Sequence, residues 1–192
     1  MFTERQSEII VTSIDIIAKH GIQSLTIKNI SKEIGISEPA IYRHFESKTD
    51  ILLAILKNFQ ELFNFVSAAL DESNNSAIEK IDFLFSKIVE IFSKEPSQIS
   101  VIFSEEVFKN EKVLREKIVE IIDTKSKLID KIIADGQKAG SVRTDIDSEI
   151  LSLMVMGSLR LMIKQWDLRN QHENLVSDGK KLIDGIKKVI EK

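Results

Sequence analysis

With 192 residues, 43% of them apolar and 30% charged, the chain has enough material for one large or two small packed domains and does not have a disordered composition. The absence of cysteine excludes a disulfide framework, a thiol nucleophile and a thiolate metal site, and a net charge of −3 excludes a strongly basic chromatin-type protein. No run of 18 uncharged apolar residues occurs, and MFTERQSEII lacks a basic stretch followed by an apolar one, so neither a membrane span nor a secretory leader is expected and a cytoplasmic location is.

Nearly every segment has helical period. A first helix is predicted from about Thr3 to His20, with Ile10, Ile14 and Ile17 inward and Gly21 ending it. Thr26 can N-cap a second, whose Ile27, Ile30 and Ile34 form one stripe and which stops at Gly35. Ser37 is expected to cap a third helix with Pro39 in its first turn. This helix would bury Ile41 and Phe45 and turn Glu38, Tyr42, Arg43 and His44 outward. A short helix that shows aromatic, basic and imidazole groups on one face has the chemistry of a major-groove reader.

Ser47-Lys48-Thr49-Asp50 opens a fourth helix, to about Leu70, that is apolar almost all round: Ile51, Leu52, Leu53, Ile55, Leu56, Phe59, Leu62, Phe63, Phe65 and Val66. Such a helix must be packed on every side. The polar run Asp71–Ser76 reads as a loop. A fifth helix over about Ala77–Lys94 is broken by Pro96, and a short sixth over about Ser97–Phe108 follows. The seventh spans roughly Glu111–Lys138 and closes at Gly140; the eighth starts at Asp147 or Ser148 and reaches Trp166. After a polar loop, Asn170–Asp178, a last helix carries Leu182, Ile183, Ile186, Val189 and Ile190. No strand, internal repeat or low-complexity tract stands out.

The order Leu25-Thr26, Ile30, Ile34-Gly35-Ile36-Ser37, Ile41-Tyr42-Arg43-His44-Phe45, then Lys48 and Leu52, resembles the N-terminal domain of the tetracycline-repressor (TetR) family over about residues 5–55. The resemblance implies an all-α, TetR-like fold of about nine helices. Residues 1–48 would form a helix-turn-helix DNA-binding domain, and 49–192 a ligand-binding and dimerisation domain. It further implies a transcriptional regulator, most simply a repressor, that binds a quasi-palindromic double-stranded DNA operator as a homodimer and is released by a small lipophilic effector. Ser37, Glu38, Pro39, Tyr42 and Arg43 would face the major groove. Tyr42 and His44 match family positions that touch phosphate or thymine methyls, Lys48 would clamp the backbone, and Thr26 and Lys28 would contact phosphates. Glu38 has two readings, acceptor from cytosine N4 or a charge stabilising the helix N-terminus. Residues 1–50 hold six Lys/Arg against seven Asp/Glu, net −1, so non-specific affinity should be modest.

Eight of the ten phenylalanines lie between Phe59 and Phe108, and Met154, Met156, Met162 and Trp166 follow. These side chains either fill a tight core or enclose an apolar cavity; family members generally hold a small molecule among helices four to eight, which favours the cavity. The expected wall is Phe59, Phe63, Phe103, Phe108, Met154 and Trp166, with Asn64 and Arg160 as polar anchors. Arg160 is either such an anchor or an ion-pair partner at a subunit interface, and the interface or structural role is the favoured one. Leu151, Val155, Ser158 and Met162, spaced i, i+4, i+7 and i+11, and Leu182, Ile186 and Val189 are expected to form a two-fold four-helix interface.

An enzyme is not expected. His20, His44 and His172 are far apart, no phosphate loop or nucleophile elbow is present, and pairs such as Glu79-Lys80 and Glu116-Lys117 read as solvated faces. No cofactor or metal is predicted. The alternative function is a ligand-independent DNA-binding dimer that recruits other proteins.

Overall fold

A computed structural model describes residues 2–71, 75–103, 108, 111–172 and 174–192. Among them are nine α-helices: α1 Glu4–His20, α2 Ile27–Ile34, α3 Glu38–Tyr42, α4 Lys48–Asp71, α5 Ala77–Lys94, α6 Ser97–Ile102, α7 Lys112–Lys138, α8 Ser148–Leu168 and α9 Leu175–Ile190. The described residues show no strand beyond one isolated antiparallel bridge, Val142 with Glu191. Glu72, Ser73 and Asn74 of the expected loop, the expected sixth-helix residues 104–107 and Glu173 of the later polar loop lie outside the described residues.

The chain forms two compact units. The first comprises residues Met1–Glu61 and Pro96–Val119, the second Leu62–Glu95 and Glu120–Lys192, so the division falls within α4 and α7. In the first unit a reciprocal Thr3–Gln6 box caps α1. Its stripe Ile9, Ile10, Ile14, Ile16 and Ile17 is buried, and α1 packs against α2 and α6, whose Ile99 and Val101 are fully buried. Ser47 caps the start of α4: its Oγ accepts from Asp50 N (3.2 Å) and donates to Asp50 Oδ2 (3.0 Å). Next to it Thr49 Oγ1 donates to Glu111 Oε2 at 2.7 Å.

The expectation that α4 is packed all round holds only for its first half. Ile51, Leu52, Ala54, Ile55, Leu56 and Phe59 are buried; thereafter only a stripe, Leu62, Phe63, Val66 and Leu70, turns inward. Phe65 is 79% exposed and Asn64 is exposed too. By length and composition Lys48–Leu70 passes as a helix able to cross a membrane, with mean hydropathy 1.2, against the sequence expectation of none. Its Lys57 and Glu61 pair at 3.9 Å, and its first half is buried as a core helix is.

In the second unit α5 packs against α9 and α8. A Cβ on Gly179 of α9 would lie 2.8 Å from Val89 Cγ2 of α5, so the approach of these helices requires a residue without a side chain there. Lys187 of α9 pairs with Asp82 of α5. The α7–α8 connection is fastened to the end of α9. Arg143 N donates to Ile190 O (2.9 Å) and its guanidinium to Val189 O (3.1 Å), while Gln137 Nε2 reaches the carbonyls of Arg143 and Ile146, each at 2.8 Å. The same guanidinium grips Asp145 with two bonds and holds its carboxyl below the ordinary range. The last helix begins several residues earlier than the polar run suggested: Asn174 accepts from Ser177 N (3.1 Å) and so caps it, and Leu175 is buried.

Candidate functional site

The outward helix is positioned by the two residues before and after α2. Thr26 Oγ1 accepts from Asn29 N at 3.1 Å, and Asn29 Nδ2 donates to Ser24 O at 2.8 Å, which fixes the entry. Gly35 then takes the left-handed conformation (φ 80°, ψ 30°), and the N–H groups of Gly35 and Ile36 both donate to Ser31 O, at 3.0 and 2.9 Å. A β-carbon would strain this turn, so glycine is what lets α3 leave α2 at its angle.

Helix α3 is only five residues long. Ser37 has the extended backbone of a cap, yet its side chain makes no capping bond, contrary to the sequence expectation; Ala40 N donates instead to Ser37 O at 2.9 Å. The hydroxyl is therefore left for an external acceptor or donor. Ile41 and Phe45 are buried as expected, and His44 N and Phe45 N both bond Ile41 O as the helix ends. Ser37, Glu38, Pro39, Tyr42 and Arg43 are exposed, Tyr42 by 52%, and His44 is half-buried. Thr26 and Lys28 are exposed at the start of α2. Lys48 is half-buried, and its Nζ donates to Ile22 O at 3.3 Å, which ties the start of α4 to the turn before α2. The expected DNA-facing residues thus share the first unit. They present hydroxyls, one guanidinium, an ammonium and an aromatic ring, the groups that bond phosphates and base edges.

The residues expected to line an effector cavity are divided. Phe59 and Phe108 are buried in the first unit and Phe103 is half-buried there; Phe63, Arg160 and Trp166 belong to the second, with Trp166 buried and the other two half-buried. Two expectations are corrected. Asn64 lies on the outer side of α4 beside Phe65, because the inward stripe there is set by Leu62, Phe63 and Val66. Met154 is 50% exposed and lies over the face between α8 and α9.

That face is a groove of ≈ 380 Å³ lined by Leu151, Met154, Val155, Ser158, Leu182 and Ile186, among others, with Gly185 and Val189 at its α9 side. Leu151 and Val155 are themselves buried within the unit, Ser158, Met162 and Leu182 are half-buried, and Val189 is exposed. The truly outward apolar stripe of α8 runs one position earlier than expected: Ile150, Leu153 (69% exposed), Met154, Gly157 and Leu161 (59% exposed).

Lys125 is a candidate site residue that helical periodicity alone does not single out. It sits in the α7 stripe Ile121, Lys125, Ile129, Ile132, and its three neighbours there are buried. Its Nζ lies 5.1 Å from the centroid of the Phe63 ring, and burial pushes the ammonium down from 10.5 to about 8. The signal was a charged residue at i+4 and i−4 from buried isoleucines.

Comparison with known proteins agrees with this geometry. A family model described as bacterial regulatory proteins of the tetR family matches residues 9–55, and one described as the C-terminal region of YsiA-like protein matches 57–188. The fatty acid metabolism regulator protein of Bacillus subtilis is 23% identical over 172 residues, covering 88% of this chain and 87% of its own. The fatty acid degradation regulator FadR from Bacillus halodurans superposes with a TM-score of 0.86 at 20% identity, over 97% of this chain and 96% of that one. FadR from Bacillus subtilis, solved in complex with stearoyl-CoA, superposes with a TM-score of 0.82 at 22% identity, over 94% and 96%. With matches that span both halves of the sequence, the chain belongs to the TetR family of bacterial transcriptional regulators.

Proposed function

We propose that the chain is a ligand-responsive repressor, which binds a quasi-palindromic duplex as a homodimer and is released by a lipophilic small molecule. The observation that carries this is the presentation of α3: a short helix held by a left-handed glycine turn, with Tyr42 and Arg43 exposed together on it. Arg43 is assigned to base reading, Tyr42 and His44 to phosphate or thymine methyl, and Thr26, Lys28 and the uncapped Ser37 hydroxyl to phosphates. The domain that binds DNA functionally is taken as residues 1–48, and the remainder serves the effector and the second subunit.

The homodimer reading is supported by the outward apolar stripe of α8 and the groove beside α9, since contiguous exposed apolar side chains are costly on a monomer. The effector reading is supported by the aromatic side chains Phe63 and Trp166 of the second unit and by the stearoyl-CoA held by the Bacillus subtilis neighbour. A long-chain acyl compound is the class to try first. Its binding would favour a dimer in which the separation of the two α3 helices no longer fits the fixed pitch of the operator.

The test is selection of the purified protein on randomised duplex DNA, then affinity against salt for the recovered sequence. Expected are a quasi-palindrome, a steep salt slope and a loss of about 1–3 kcal/mol for Arg43→Ala. Failure to enrich any sequence would overturn the assignment of α3 as the reader.

A further inference from the structure

Among the described residues of the second unit, Lys125 carries a charge that nothing within the unit pairs. Lys125 is half-buried in an α7 stripe whose Ile121, Ile129 and Ile132 are buried, and its helix neighbours at i−4, i−3, i+3 and i+4 are Ile121, Ile122, Leu128 and Ile129, none able to supply a counter-charge. Among the described residues its ammonium has no hydrogen bond and no ion pair; its one recorded partner is the Phe63 ring, 5.1 Å away. Asp130, the next acid along α7, emerges roughly 140° around the helix. It forms no ion pair with Lys125, and its own Oδ1 is buried without a hydrogen bond among the described residues.

A ring face returns about 0.5–2 kcal/mol to a cation and forms no hydrogen bond, so it does not fully offset the water that a half-buried ammonium gives up. A lysine stem can reach solvent from a buried stripe, but this one ends over an aromatic ring. The depressed ammonium, about 8 in place of 10.5, reports the same imbalance. What would restore the balance is an anionic acceptor, which no described residue provides.

We propose that Lys125 receives the oxyanion of the effector, a carboxylate or phosphate carried on an apolar chain, with Phe63 packing against the methylenes beside it. This rests on the lipophilic-effector reading above and names the residue that selects charged over neutral members of that class. A charge-assisted hydrogen bond formed on binding is worth about tenfold or more in affinity.

Three probes separate the possibilities: palmitate, palmitoyl-CoA and the neutral hexadecanol, each titrated into the full-length protein. The fluorescence of Trp166, the only tryptophan, and release of the selected operator serve as readouts. K125M should weaken palmitate, palmitoyl-CoA or both at least tenfold and leave hexadecanol unchanged, with K125R recovering most of the loss. A loss confined to palmitate identifies the carboxylate; a loss confined to palmitoyl-CoA identifies the phosphates. Equal effects of K125M on all three probes, or no effect on any, would overturn the assignment and leave Lys125 as a stem reaching for water. If wild-type protein binds none of the three, the lipophilic-effector reading itself falls, and this assignment with it.

Discussion

Replacing Lys125 by methionine should make the protein more stable, and the gain should vanish at high pH. The drop of the ammonium from 10.5 to about 8, caused by burial, corresponds to ~3 kcal/mol at about 1.36 kcal/mol per pH unit. Methionine keeps the length and apolar character of the stem but forfeits the Phe63 ring contact, worth about 0.5–1 kcal/mol. A net gain of ~2 kcal/mol at pH 7 follows. The direction with pH comes from proton counting. Below pH 8 both the folded and the unfolded chain carry the proton, and the burial penalty is felt in full. Between about 8 and 10.5 the unfolded chain binds more protons than the folded one, so wild-type stability rises relative to K125M. Above that window the penalty is gone. Urea unfolding followed by circular dichroism, with both proteins at one fixed concentration and at pH 7 and pH 10, measures the difference and cancels groups common to both. A destabilised K125M at pH 7, or an equal gain at both pH values, would refute the reasoning.

Thr26→Ala removes the acceptor for Asn29 N and should lower stability by about 1 kcal/mol in thermal melts, with a larger loss in operator binding if the hydroxyl also meets phosphate. Gly179→Ala should destabilise by about 1–3 kcal/mol in urea unfolding, because the added carbon meets Val89 at 2.8 Å and the backbone of α9 must retreat. The double change Leu153→Asp and Leu161→Asp should leave far-ultraviolet dichroism intact and convert a dimer into monomers in sedimentation velocity, since both side chains are outward on α8. An unchanged dimer would remove α8 from the interface.

The helix-turn-helix was legible because its determinants are local. Thr26, Gly35 and Pro39 act within one turn of where they stand, so their chemistry is written at their own positions. The order of the nine helices was legible for the same reason, through periodicity and breakers such as Pro96. Residues whose role depends on what covers them were not. Phe65 and Asn64 looked internal because α4 is apolar around its whole circumference, and composition cannot say where cover ends. On α8, Leu151 and Ile150 are equally hydrophobic, and only the packing of α5 and α9 decides which faces out. Met154 moved with that choice. The early start of α9 was hidden by Asn174 and Ser177, residues that read as loop; here Asn174 Oδ1 caps the helix by accepting from the backbone N–H of Ser177 in its first turn.

The contact between α1 and α6 has a consequence for synthesis. Helix α1, which carries some of the most buried isoleucines of the first unit, packs on α6, yet about 60 residues separate the end of α3 from the end of α6. At roughly 5–20 residues per second, α3 emerges from the ribosome several seconds before α6 can close on α1. During that interval an incomplete three-helix piece shows apolar surface to whatever chaperone is at hand. A graft that transplants only residues 9–55 into another regulator would inherit the same exposed flank permanently, so a working chimera needs Ser97–Ile102 or a substitute for it.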